Sequence, residues 1–111
     1  MDPILWRNNI KEDLAWLADE ERQRRVWLSK DPGFDFPDEA VLLLDDHAFA
    51  EFIEEPAIGL AEVQKAKARE FKLVFDQFRR EAPSHLEGAW LVDDPRWVRI
   101  RMLAKELHDM L

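Results

Sequence analysis

The side chains best suited to chemistry crowd around His47. On a helix His47 and Glu51 stand one turn apart, and Asp45, Asp46, Glu54 and Glu55 lie close by in sequence. An imidazole and carboxylates of this kind could converge on a divalent cation, with metal-dependent hydrolysis as the extreme form, through Asp45, Asp46, His47 and Glu51. Neither the H-E-x-x-H spacing nor the D-x-D-x-D-G calcium loop is present. The competing reading is that Asp45 and Asp46 cap a helix and His47 sits exposed in its first turn.

Other chemistries find little material. Ser29 and Ser84 are the only hydroxyl side chains, and cysteine, threonine and tyrosine are absent. Ser84 precedes His85, but no G-x-S-x-G elbow surrounds it. Three glycines cannot supply a phosphate-cradling loop. Paired carboxylates abound, yet on an exposed acidic surface nothing raises a pKa toward general acid work. The expectation is a protein that is not an enzyme and carries no cofactor.

Charge is distributed unevenly. Residues 31–64 hold ten carboxylates and no Lys or Arg, so this segment is more negative than the whole chain, whose net charge is −8, and the remainder is slightly positive. These acids alternate with Phe34, Phe36, Val41, Leu42, Leu43, Leu44, Phe49, Phe52 and Ile53, which a solvated tail would not carry. The segment therefore reads as folded, apolar side inward and carboxylates outward.

Such a face would dock on a basic partner protein by charge complementarity, with Asp35, Asp38, Glu39, Asp45, Asp46, Glu51, Glu54 and Glu55 as the contacts. Proteins that neutralise a toxin or nuclease, such as immunity proteins and antitoxins, often share this size and acidity; the analogy is one of class. A solvated face without a partner is the plain alternative. Trp16 and Trp27, beside arginines, form a candidate second interface, with core packing as the competing reading. The clusters Arg22, Arg24, Arg25 and Arg96, Arg99, Arg101 are expected to pair with carboxylates, since an isoelectric point near 4.8 opposes direct nucleic-acid binding.

These residues need elements to hold them. Asp2 and Pro3 start a helix whose apolar residues Trp6, Ile10, Leu14 and Leu17 share a side. Asp19 caps a second short helix reaching Trp27 and Leu28, or the two form one bent helix. A turn is expected at Lys30-Asp31-Pro32-Gly33. Helices then follow from about Pro37 to Leu44 and from His47 to Glu54, with a buried strand at 41–44, paired to Trp90-Leu91-Val92, as the alternative to the first. The long helix Leu60 to Glu81 puts Leu60, Val63, Phe71, Val74, Phe75 and Phe78 on one side and a mainly basic face on the other. Asp94 and Pro95 open a last helix with Trp97, Ile100, Ala104, Leu107 and Leu111 in register.

One all-α domain over residues 1–111 follows: a compact bundle of four to six helices with an irregular acidic middle segment. It is expected to be cytoplasmic, since it has no cysteine, no membrane-length apolar run and no secretory signal. It would be a monomer or homodimer, a dimer using the Trp97 to Leu111 stripe between chains.

Overall fold

The computed structural model describes residues 2–29, 37–83 and 86–111. The expected turn at 30–33, Asp35, and the Ser84-His85 pair lie outside the described residues. Among those residues there are eight helices and no strand: α1 (Pro3–Ala18), α2 (Glu20–Trp27), α3 (Pro37–Ala40), α4 (Leu43–Asp46), α5 (Phe49–Glu54), α6 (Glu62–Glu81), α7 (Gly88–Leu91) and α8 (Pro95–Met110). The all-helical bundle expected from periodicity is therefore found, with more pieces than expected.

Helix boundaries follow local chemistry. The Asp2 carboxylate accepts from the backbone N–H of Ile4 at 2.8 Å and of Leu5 at 3.3 Å, and Pro3 occupies the first helical position. Asp19 closes α1 through its own N–H and opens α2 by accepting from Arg22 N–H at 3.0 Å, so two helices form rather than one bent one. Asp94 caps α8 through Arg96 N–H at 2.9 Å, again with proline next. At the start of α6 the Gln64 side chain accepts from Ala61 N–H at 2.7 Å, satisfying one orphan donor.

The middle segment departs from expectation. Two helices were expected over 37–44 and 47–54; three short ones form instead, separated at Val41-Leu42 and at His47-Ala48. Ala48 takes a left-handed conformation with φ of 53°, which stops α4 from running into α5. Neither Asp45 nor Asp46 caps α5; its N-cap is Ala48, which has no side-chain acceptor. The strand alternative is overturned, since Leu43 and Leu44 lie in α4 and Trp90 and Leu91 in α7.

α8 is the central element. It packs most extensively against α1 and next against α6. Both neighbours run antiparallel to it: Arg7 near the start of α1 reaches the Leu111 carbonyl, and Gln64 near the start of α6 reaches the Met110 carbonyl at 2.7 Å. Ile10, Leu14 and Leu17 of α1, Phe71, Phe75 and Phe78 of α6, and Trp97, Ile100 and Leu107 of α8 are almost wholly buried, joined by Phe52 and Ile53 of α5. The Trp97 to Leu107 part of the stripe is thus buried within one chain. Val63, expected on the core side, stands in the first turn of α6 and is 66% exposed.

Candidate functional site

The acidic segment lies against the basic helix α6. The Arg69 guanidinium grips Glu54 through two nitrogens at 2.9 to 3.1 Å. One helical stretch further on, Arg79 donates to Asp45 at 2.5 Å, to the Val41 carbonyl at 3.0 Å and to Asp76 at 2.9 Å. Burial disfavours the Asp76 carboxylate, but Lys72 and Arg79 outweigh it and hold its pKa below the usual aspartate range. Burial likewise works against the Arg79 charge, and its bonds to Asp45 and Asp76 keep its pKa raised.

The expected contacts therefore divide. Asp45 and Glu54 brace the segment on α6, and Asp38 accepts from the Leu86 N–H at 2.9 Å, tying α3 to the approach to α7. Glu39, Asp46, Glu51 and Glu55 are exposed and pair with no Lys or Arg among the described residues; the Glu55 carboxylate accepts from Ala57 N–H. Asp35 is outside the described residues.

His47 is not an exposed first-turn residue. It ends α4, its Nδ1 lies 2.5 Å from an oxygen of Asp13 on α1, and its carbonyl accepts from the Trp6 indole N–H at 2.7 Å. Asp13 is buried at 7% exposure. Burial raises its pKa, helped by Glu12 and Asp46, and the bond from His47 opposes that rise. Asp45, Asp46, His47 and Glu51 are not gathered: no group of three or more His, Asp or Glu side chains among the described residues is arranged to hold a metal ion. The imidazole faces α1, while Asp45 faces α6.

The aromatic and basic candidates also separate. Trp27 is buried between Trp16 and Trp97, with ring centres at 5.5 and 5.9 Å, so it belongs to the core. Trp16 is half-buried at the α1–α2 corner, under the guanidinium of Arg22 at 5.4 Å. Arg24 pairs with Glu20 and Asp93, and Arg96 with Asp94 and Glu81 while lying over Phe78 and Trp90. Arg24 and Arg96 each use a neighbouring carboxylate, Glu20 and Asp94, as expected, while Arg24 also reaches Asp93 and Arg101 reaches Glu20 across the fold.

Comparisons with protein-family models, curated proteins and solved structures find no match to this chain. Its function must be argued from its own side chains.

Two buried polar residues escaped the sequence reading, Asp13 and Gln23, and a third, Arg101, was read there as part of a basic cluster but not as buried. Each had a signal. Asp13 stands three residues after Ile10 and one before Leu14 on the apolar stripe of α1, Gln23 one turn before Trp27, and Arg101 one turn after Trp97. A polar group on a core stripe marks a buried hydrogen bond.

Proposed function

We propose that this chain is a small protein-binding domain, of the inhibitor or neutraliser kind, that docks the acidic face within residues 31–64 on a basic partner protein such as a toxin or nuclease. The supporting observation is that charge separation persists in the folded chain. Arg69 and Arg79 brace the segment, yet Glu39, Asp46, Glu51 and Glu55 are left outward with no described cation to neutralise them. A bracing helix fixes the positions of these acids, so their field is presented by a pre-formed surface.

The reading places the chain in the cytoplasm and gives it no nucleic-acid target, because its arginines largely serve its own carboxylates. No described helix is long and apolar enough to cross a membrane. The test is titration against a purified basic protein captured from the native host, at several salt concentrations. Affinity that falls steeply as salt rises, and that collapses when Glu39, Asp46, Glu51 and Glu55 are changed to lysine, supports the reading. Undiminished binding by that variant overturns it.

A further inference from the structure

A second feature lies where the acidic segment meets α1. Between the second half of α1, the start of α2 and the start of α4 is an open cleft of about 420 Å³, bordered by Glu12, Asp13, Trp16, Asp19, Arg22 and Leu43. That volume is in the range of sites that take small organic groups. Among the described residues its border carries three carboxylates, Glu12, Asp13 and Asp19, and the Arg22 guanidinium. Asp13, the deepest of them, has one oxygen bound by His47, and Leu43 joins the cleft to the acidic segment.

The wall is the Trp16 ring, and it already carries a cation. The Arg22 guanidinium lies 5.4 Å from the ring centre, within the distance at which a cation is attracted to the ring face. The chain thus displays the chemistry of the occupant it fits: a flat cation over an indole with carboxylates at its edge. A guanidinium matches this better than an ammonium, because it can stack and present several N–H groups to different carboxylates together.

We infer that the cleft receives an arginine side chain of the basic partner, its guanidinium stacked on Trp16 in place of Arg22 and directed toward Glu12 and Asp19. The source of the arginine rests on the docking reading above. Recognition of the guanidinium does not, and is measured without any partner protein.

The experiment titrates the full chain with N-acetyl-arginine amide, and separately with N-acetyl-citrulline amide, which has nearly the same shape without the charge. The indole N–H signals of the five tryptophans report the response in NMR spectra. The Trp16 signal should shift saturably with the arginine probe, at concentrations on the order of millimolar, and stay still with citrulline. Glu12→Gln should weaken the response several-fold, and Arg22→Gln should strengthen it by about fivefold by clearing the ring face. Both variants alter side chains at the cleft border rather than in the core.

Equal responses to the two probes, a non-saturating drift shared by all the indole signals, or weaker binding by Arg22→Gln would each overturn the inference. Reversing Glu39 and Glu51 to lysine distinguishes the two proposals. It should weaken docking of the basic protein and leave the Trp16 response to the small probe intact. Loss of that response in this variant also overturns the cleft assignment.

Discussion

The side-chain oxygen of Gln23 accepts a hydrogen bond from Arg101 at 3.0 Å, across 78 positions of sequence and inside the core. The same oxygen accepts from the Trp97 indole N–H at 3.1 Å, while the Gln23 amide nitrogen donates to the carbonyls of Trp16 and Leu17. One wholly buried glutamine thereby joins the end of α1, α2 and α8. Burial lowers the pKa of Arg101, which also reaches the Val92 carbonyl at 3.2 Å. Removing the acceptor leaves the Trp97 indole N–H without its bond and leaves Arg101 with the Val92 carbonyl and a 3.5 Å pairing to Glu20. Gln23→Leu should cost about 3 kcal/mol in denaturant unfolding. Gln23→Leu combined with Arg101→Met should be less destabilised than Gln23→Leu alone, and a purely additive pair of losses would refute this account of the hub.

Gly88 is needed for close packing of α7 on α2. A Cβ added there would sit 2.5 Å from Trp27 Cβ and 2.9 Å from the Trp27 carbonyl oxygen. Backbone cannot step aside cheaply, so Gly88→Ala should destabilise by roughly 2 to 3 kcal/mol. It should also perturb the near-ultraviolet circular dichroism of the Trp16, Trp27 and Trp97 cluster. Gly59→Ala is the control: it has open space but a φ of +71°, and it should cost about 1 kcal/mol with the aromatic signal unchanged.

Asp94 and Asp13 should respond oppositely to pH. The Arg96 side chain is the main cause holding the Asp94 pKa below its usual 3.8. Its contribution is thus complete above that value and disappears as pH falls through the lower, folded-state pKa. Asp94→Ala should cost about 1 kcal/mol near neutrality, and the gap from the parent should close in acid below 3.8. Thermal unfolding measured from neutral to strongly acidic pH reads this directly.

Burial raises the Asp13 pKa above its usual 3.8, so the sign reverses. Stability associated with this group is complete below 3.8 and declines as pH rises through the raised folded-state value. Asp13→Asn keeps an acceptor for His47 and removes the charge. The variant should therefore gain on the parent as pH rises through that window, and a difference independent of pH would contradict the burial argument.

The bracing and outward carboxylates should separate in stability measurements. Asp45→Asn and Glu54→Gln each remove a largely exposed ion pair with α6, so losses of about 0.5 kcal/mol are expected. Glu39→Gln and Glu51→Gln touch no described cation and should be neutral or slightly stabilising, since they relieve repulsion. The reverse ranking would mean that the outward acids hold the fold.

What the sequence determined by itself were features with local causes. Asp2-Pro3, Asp19 and Asp94-Pro95 placed three helix starts, and the spacing from Trp97 to Leu107 identified the face of α8 that is buried, because caps and stripes act within one or two turns. The all-helical class followed from such signals, as did the location of the excess negative charge. Tertiary structure decided the partners of the polar groups. Asp45 looked like a cap but is engaged by Arg79, 34 positions away, and His47 looked like an exposed or metal-binding group but pairs with buried Asp13. The left-handed Ala48 that divides α4 from α5 likewise has no residue-type signature, since alanine ordinarily favours helix. Such choices depend on which helices come to lie side by side, and only the packed bundle brings those residues within a few ångströms.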